Sequence, residues 1–395
     1  MTPSSGHSFA RACVLCGSYG TTDAVLNVFL FVPLGAGLYL SGVNGLRAVA
    51  IACALSMAVE LTQLFVIPGR DATLGDVIMN TIGASLGFQV ALKSKVWLTP
   101  RPGVAARLAI VSGTGWLLLQ AMTTAALMPS YPSSDYYGEV APSLAGFAKF
   151  RGAVRNAAVG DIPIPNSRFP STDAVIKALS AGSALSATAI PSALSNEVAP
   201  VVRIADDRQR EIAMLGLRRG DFVFRVRTVA ATLRLRPLTF ALTIPPREST
   251  DQTSALTASG QYQRNNVSLR TADSQSVVTD QIAVSPALGW ALFVPFQWFV
   301  RSGMREEALE CLWVALILVP LGYWVGRWSA RSGWAAAPAR IITAACIEIL
   351  LVTAGLVGLP LLLGLASVSL AEFLLGVFAV VAAQSSVLFW TNRSA

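Results

Sequence analysis

Residues 24–41 of the chain read AVLNVFLFVPLGAGLYLS, a run of 18 residues with no charged side chain. A helix of that length is about 27 Å long, close to the hydrocarbon core of a bilayer, which is about 30 Å thick. Apolar runs of comparable length recur three times soon afterwards and three times near the end of the chain. They cover 47–67, 74–92, 106–128, 308–326, 341–363 and 366–390. The sequence therefore predicts a polytopic α-helical membrane protein with about seven spans.

The composition supports the same class. Of the 395 residues, 53% are hydrophobic and 13% are charged, and the mean hydropathy is +0.57. A soluble domain has about 25% charged residues, so a purely cytosolic protein is excluded. Intrinsic disorder is excluded as well, because disordered segments are poor in hydrophobic residues.

The ionisable residues are unevenly distributed, and this predicts three domains. Most of them lie in a central insert, 129–285, which has no run long enough to cross a bilayer. The insert separates a transmembrane domain, 1–128, from a C-terminal transmembrane domain, 286–395. The C-terminal domain starts with a short aromatic segment, 286–300, which is typical of an interfacial or re-entrant piece.

Basic residues in two short loops predict the orientation. One set lies between the third and fourth spans and the other between the fifth and sixth, with no acid among either: Lys93, Lys95, Arg101, Arg107, Arg327, Arg331 and Arg340. Cytoplasmic loops carry such an excess, so the insert 129–285 is expected to be extracytoplasmic and the C-terminus cytoplasmic. The N-terminus is then outside without a signal peptide, and we hypothesise an additional helix upstream of Met1.

Polar side chains inside the spans form the candidate site. We call the following residues of the first three spans and their connecting turn the polar seam: Asp23, Asn27, Glu60, Gln63, Arg70, Asp76 and Asn80. Helical spacing places them near the outer leaflet, with Glu60 about 12 Å below the outer end of its helix. Thr73-x-x-Asp76 has the form of a capping box, a purely structural role. Glu60 and Arg70 instead suggest a pocket for a phosphate or sugar head group, because capping does not explain a mid-helix acid.

Three motifs in this region are spaced in a specific order. They are DAVLNVFLFVPLG at 23–35, ELTQLF at 60–65, and R-x5-D-x3-N-T-I-G-A at 70–84. Together they resemble the VanZ-like family of bacterial membrane proteins over 23–88. The resemblance implies a cell-envelope role, since the founding member is linked to low-level resistance to the glycopeptide teicoplanin and no enzymatic mechanism is established for the family. It also implies that the seam residues are signature positions and that a helix precedes them.

The C-terminal helices carry what reads as a second, decayed copy. An acid precedes Pro-Leu-Gly by ten residues at Glu310, as it does at Asp23. Two further acids follow in the same order, so that the counterparts of Asp23, Glu60 and Asp76 are Glu310, Glu348 and Glu372. The predicted orientations match, as expected of parallel repeats about an axis along the membrane normal. Coincidence is the alternative, and the first copy is the expected working site.

The insert reads as a β-sandwich. Alternating residues at 221–228 predict a strand, with further strands at 200–205, 209–217, 233–244 and 267–271. The run 202–228 resembles the concanavalin A-like, LamG-type jelly roll. Such domains often bind glycans, but the insert has no evident aromatic platform, so a spacer or protein-contact role is the alternative. Its arginine-rich strands are expected to meet anionic lipid or envelope polymer.

These features favour a non-enzymatic protein of the bacterial inner membrane that binds lipid-linked or polymeric glycan. The alternatives are an enzyme that modifies a lipid-linked intermediate with its membrane carboxylates, and a transporter. Nucleic acid is not an expected partner, because the insert faces outside. No cofactor or metal is expected, since Cys13, Cys16 and His7 do not form a convincing zinc set.

Overall fold

The computed structural model of the chain describes residues 15, 17, 19–66, 73–244, 255–263, 265–330 and 337–393. Its helices are α1 (Gly20–Leu40), α2 (Gly45–Val66), α3 (Leu74–Leu92), α4 (Ser94–Leu98), α5 (Pro102–Leu127), α6 (Thr172–Ser180), α7 (Val229–Thr232), α8 (Met304–Ser329), α9 (Ala337–Thr353), α10 (Leu359–Leu363) and α11 (Leu370–Arg393). A π-helical turn, Ala354–Gly358, joins α9 to α10.

Six helical segments of the described chain are long and apolar enough to span a membrane. They are Gly20–Leu40, Gly45–Val66, Pro102–Leu127, Met304–Ser329, Ala339–Leu363 and Leu370–Phe389. Helix α3 forms where the sequence predicts a span, but it is not among the six, because Asp76, Asn80 and Gln89 lower its hydropathy. The chain is therefore a multi-pass helical membrane protein, and the seventh span stays a prediction.

Helices α1 and α3 pack backbone against backbone. A Cβ at Gly35 would overlap the carbonyl of Ala84, and one at Gly83 would overlap the carbonyl of Val28. Such close approach requires residues without side chains, which is the common basis of helix association in membranes. The paired residues advance together along the two helices, so α1 and α3 run parallel and begin at the same end.

A second bundle forms from α5, α8, α9 and α11. Gly322 of α8 lies against the carbonyl of Val380 in α11. Trp116 of α5 is fully buried in this bundle, and its indole Nε1 donates to the Leu351 carbonyl of α9 at 3.2 Å. Helix α5, which the sequence places in the first transmembrane domain, thus packs with the C-terminal helices.

The middle of the chain forms two six-stranded sheets. The strands are β1 (Tyr136–Val140), β2 (Arg151–Val159), β3 (Ile162–Pro163), β4 (Leu185–Ala193), β5 (Ala199–Asp206), β6 (Glu211–Arg218), β7 (Asp221–Val226), β8 (Thr239–Thr243), β9 (Leu256–Gln263), β10 (Asn266–Ala272), β11 (Val277–Ala283) and β12 (Phe299–Val300). Their orders are β1-β5-β6-β7-β8-β12 and β11-β10-β9-β4-β2-β3. Residues of both sheets share one buried apolar core, so the sheets pack face to face.

The predicted strands fall on β5, β6, β7, β8 and β10, with one clear difference. The strand expected at 233–244 begins only at Thr239. Pro237 has no backbone N–H and restricts the residue before it, so the preceding residues form a loop instead. That loop carries Arg234 and Arg236, both of which reach residues at the start of the chain's helical region.

Two of the strand arginines, Arg203 and Arg225, are largely buried. Arg203 pairs with Glu139 at 2.8 Å and Arg225 with Glu211 at 3.1 Å, and both arginines are about 6% exposed. Phe147 packs with the apolar residues on the same outer face of the sheet. Arg203 and Arg225 thus each pair with an acid of their own sheet, and the expectation that the arginine-rich strands meet anionic lipid or envelope polymer stays a prediction.

The aromatic segment expected at 286–300 lies where the sheets meet the helices. Its first part is a buried 3₁₀-helix, Pro286–Phe293, whose Leu292 carbonyl accepts a hydrogen bond from Thr22 of α1 at 2.9 Å. The Tyr262 hydroxyl of β9 donates to the Leu127 carbonyl at the end of α5 at 2.8 Å. Buried contacts thus fix the β domain to both helical bundles.

The glycine contacts predict a sharp positional effect. We expect Gly35→Val and Gly322→Val each to lower the free energy of unfolding by about 3 kcal/mol, because the added side chain forces two helix backbones apart. Gly37→Val is the control, since Gly37 is exposed and a Cβ there meets nothing within 4 Å. Thermal unfolding of the detergent-solubilised variants measures the difference, and equal midpoints for Gly35→Val and Gly37→Val would contradict this packing.

Candidate functional site

The start of α3 is held by a compact set of hydrogen bonds. Thr73 caps the helix, because its hydroxyl oxygen accepts from the Asp76 backbone N–H at 3.1 Å. The same hydroxyl donates to Asp76 Oδ2 at 2.8 Å, and Asn27 Nδ2 of α1 donates to Asp76 Oδ1 at 2.6 Å. Both carboxylate oxygens of Asp76 therefore accept hydrogen bonds, one of which joins α1 to α3.

Helix α2 carries the seam residues Glu60 and Gln63, and it contacts α3. Glu60 is 7% exposed, and its Oε2 accepts from the Thr73 backbone N–H at 3.0 Å. Asn80 of α3 donates to the Ser56 hydroxyl of α2 at 2.9 Å. Gln63 also has an interaction partner. Arg70, assigned to head-group binding from the sequence, lies outside the described residues.

Asp23 faces the β domain rather than the other seam acids. Its Oδ1 lies 3.1 Å from Nη2 of Arg236, in the loop before β8. The neighbouring Thr22 hydroxyl accepts from the Arg236 backbone N–H at 3.1 Å while donating to Leu292. Sequence reasoning missed Arg236, because nothing in its local pattern distinguishes it from other loop arginines.

The three acids of the C-terminal helices have different surroundings. Ser369 Oγ accepts from the Glu372 backbone N–H at 3.3 Å, and the carboxyl groups of Glu310 and Glu372 are close enough to interact. Glu348 of α9 is 1% exposed, and neither of its carboxyl oxygens has a hydrogen-bond partner within the described ranges. A buried carboxyl of this kind is costly, and such residues in spans are often functional.

Positions that the predicted repeat aligns make similar contacts. Gly35 lies against Ala84, and Gly322, which the prediction aligns with Gly35, lies against Val380. The rings of Tyr39 and Phe88 meet at 5.4 Å, and their counterparts are the neighbouring pair Gly326 and Gln384. The Thr73–Asp76 cap likewise corresponds to the Ser369–Glu372 cap.

No group of three or more potential metal ligands occurs in the part of the chain that the structure describes. Cys13, Cys16 and His7 lie outside that part. The described cysteines, Cys53, Cys311 and Cys346, are free thiols.

A family model described as VanZ/LLP1 matches residues 4–97. These residues comprise α1, α2, α3 and most of α4, and they include the whole polar seam. The protein is thus a membrane protein with an N-terminal VanZ/LLP1 domain, which is followed by a β-sheet domain and further helices. No curated protein and no solved structure matches the chain at a significant level. The LamG-type resemblance of the β domain stays a prediction.

The contact between Asn27 and Asp76 generates a test. We expect Asn27→Asp to lower the free energy of unfolding by about 1–3 kcal/mol, because it replaces a donor with a second acid against a partly buried carboxylate. Asn44→Asp is the matched control, since Asn44 is exposed and its Oδ1 accepts from the Arg47 N–H at the start of α2. Asp caps a helix as well as Asn does. Equal stability of the two variants would show that the Asn27 contact does not hold α1 to α3.

Proposed function

We propose that this is a non-enzymatic cell-envelope protein of the bacterial inner membrane that binds or organises lipid-linked or polymeric glycan at the outer leaflet. The observation that carries the proposal is the ion pair between Asp23 and Arg236. It joins the VanZ-like helices to the β domain at the end where the seam lies. The seam is thereby part of a junction between a membrane anchor and a domain in water.

The hydrogen bonds of the seam argue against a catalytic role for its acids. A general acid or base has to reach substrate with its carboxyl group. Asp76 accepts from Asn27 and Thr73, and Glu60 accepts from the backbone of Thr73. These contacts give both acids structural roles, in contrast to the catalytic role that the sequence left open for them.

One observation favours the enzyme alternative, and it lies in the second unit. Glu348 is a buried carboxyl without a hydrogen-bond partner in the described chain, and Glu310 and Glu372 form a second acidic pair. An enzyme acting on a lipid-linked intermediate would therefore use these C-terminal acids rather than Glu60 or Asp76.

A transporter has weaker support. Transporters built on repeats break their helices at matched positions. The π-helical turn Ala354–Gly358 interrupts the segment between α9 and α10, whereas α2, its counterpart, is continuous from Gly45 to Val66.

We further propose that α8–α11 are a diverged copy of the VanZ-like unit. Two similarities support this. When the two units are aligned by their acids, the Thr73–Asp76 cap falls on the Ser369–Glu372 cap, and the close helix contact of Gly35 falls on that of Gly322. With α3 counted beside the six apolar helical segments, the whole chain would have seven spans. The function of the copy has diverged, since the amide partners of the first unit are replaced by Val314, Leu351 and Gly376.

Lipid analysis tests the proposed function. We expect protein extracted in native-membrane particles to retain lipid-linked glycan at least tenfold enriched over bulk membrane, as measured by mass spectrometry. Glu60→Gln and Glu348→Gln should retain the same profile, because neither acid is proposed to contact the glycan. Retention of phospholipids in bulk proportions would reject the proposal. Product masses that appear with wild type and disappear in Glu348→Gln would favour the enzyme.

The family resemblance extends the proposal to glycopeptide susceptibility. If the protein binds lipid-linked glycan, its expression should raise the inhibitory concentration of teicoplanin in a susceptible host. Unchanged susceptibility at verified expression would remove this part of the proposal.

We also propose that the β domain is extracytoplasmic and that the C-terminus is cytoplasmic. Single cysteines in a cysteine-free background test this sidedness. Asp161→Cys in the exposed β2–β3 turn should react with an impermeant maleimide in intact spheroplasts. Lys93→Cys, exposed at the end of α3, should react only after permeabilisation. The reverse pattern would invert the topology.

A further inference from the structure

A pocket of about 270 Å³ opens where the β domain meets the start of α1. Two arginines of the β domain, Arg225 and Arg236, line it together with aromatic side chains of several segments. The aromatic lining residues are Tyr19, Phe147, Phe296 and Trp298. The pocket lies beside the polar seam but is not formed by it, because Asp23 contacts Arg236 from outside the lining.

The charged side chains that line this pocket are all positive. The described lining has two guanidinium groups and no acid. Their acidic partners, Glu211 and Asp23, each lie 3.1 Å away outside the pocket wall. Burial lowers the pKa of Arg225, but Glu211 and Tyr19 more than offset this and hold that pKa above its usual value. Arg225 therefore remains charged at the pocket.

The arginines also keep donors available. A guanidinium has five N–H donors, and one carboxylate occupies only part of them. The buried Nε of Arg236 has no hydrogen-bond partner within the described chain. Guanidinium groups that line one pocket and keep spare donors are suited to binding a phosphate.

Part of the pocket lining is aromatic. The Phe296 and Trp298 rings are 5.8 Å apart, and Arg305 lies 4.6 Å from the Trp298 ring. Phe296 is 57% exposed, so its ring is available to a ligand. Ring faces of this kind accept the apolar face of a flat or cyclic group, while the charged groups fix its orientation. The pocket is slightly smaller than the range of about 300–1,000 Å³ typical of ligand sites, which limits it to a small group.

We propose that this junction pocket binds a glycosyl phosphate, with the phosphate held by Arg225 and Arg236 and the sugar ring against Phe296 and Trp298. The inference rests on the proposed function, because it identifies the part of a glycan ligand that the protein recognises. The ligand is either the head group of a lipid-linked glycan or a soluble sugar phosphate. Both sources present the same chemistry to the pocket.

Binding of soluble probes to the full-length purified protein tests the pocket. Glucose 1-phosphate should bind the wild type at least tenfold more tightly than glucose or inorganic phosphate, as measured by calorimetry. Phe296→Ala should weaken glucose 1-phosphate at least fivefold and leave inorganic phosphate unchanged. Arg236→Gln should weaken both at least tenfold, and Arg236→Lys should restore part of the loss.

Arg234→Gln is the matched control. Arg234 is two residues away in the same loop, but its guanidinium donates to the Leu15 carbonyl and does not line the pocket. This variant should bind like the wild type. If Arg236→Gln unfolds, the binding of glucose 1-phosphate and inorganic phosphate to Phe296→Ala still tests the pocket. An exposed ring contributes little to folding, so this variant is expected to fold.

The two possible sources are separated by a lipid probe, a polyprenyl phosphoglucose in nanodiscs. Binding at least tenfold tighter than that of glucose 1-phosphate identifies the lipid head group, and equal binding identifies the soluble sugar phosphate. Binding of either probe that is unchanged in Phe296→Ala and Arg236→Gln would overturn the inference, as would no binding of either.

A failure of the pocket can be distinguished from a failure of the proposed function. Lipid-linked glycan that still copurifies with Arg236→Gln and Phe296→Ala would place the glycan elsewhere, which removes the pocket but keeps the function. Specific binding of glucose 1-phosphate without any copurifying lipid-linked glycan would keep the pocket but remove the proposed function.

Discussion

Polar groups within a bilayer must find partners inside the protein, and this constraint organises the VanZ-like unit. Glu60, Asp76 and Asn80 lie on helices that otherwise face lipid, and each is hydrogen-bonded to a neighbouring helix or helix start. An unpaired group there would cost several kcal/mol, of the order of the stability of a whole domain. The partners Asn27 and Thr73 therefore fix how α1, α2 and α3 are arranged.

The same constraint explains how the water-facing domain is attached. Asp23 lies in the first turn of α1, and it pairs with Arg236 of the β domain. Thr22 bridges that loop and the 3₁₀-helix by accepting from one backbone and donating to the other. A flexible tether would leave the β domain free to move. These contacts instead hold it against the helices, and they create a pocket whose walls belong to both parts.

Much of the fold followed from the sequence because its signals are local. Long apolar runs locate the helices, and the alternation around Phe222 and Phe224 locates β7, with both rings in the shared core. The second sheet gave little signal, because strands such as β4 and β9 are built largely from Ala, Ser and Thr. Membership of α5 in the C-terminal bundle is a tertiary contact, made through Trp116, that no local pattern encodes.

The seam was identified from the sequence, but its partners were not. Spacing brings Asn27 and Asp76 to one region, since both lie near the starts of parallel helices. It does not reveal Arg236 or Arg225, because these residues come from a distant part of the chain and their position depends on the folded β domain. The proposed binding site therefore lies at the adjoining junction, whereas the sequence favoured the seam acids.

The central claim is that the seam is structural and that ligand binding occurs at the junction. A cryo-electron microscopy map of the chain in native-membrane particles tests this most directly. The account predicts ligand density between Arg225 and Arg236, with Glu60 and Asp76 enclosed by their protein partners. Density against Glu60 and Asp76, together with an empty junction pocket, would contradict it.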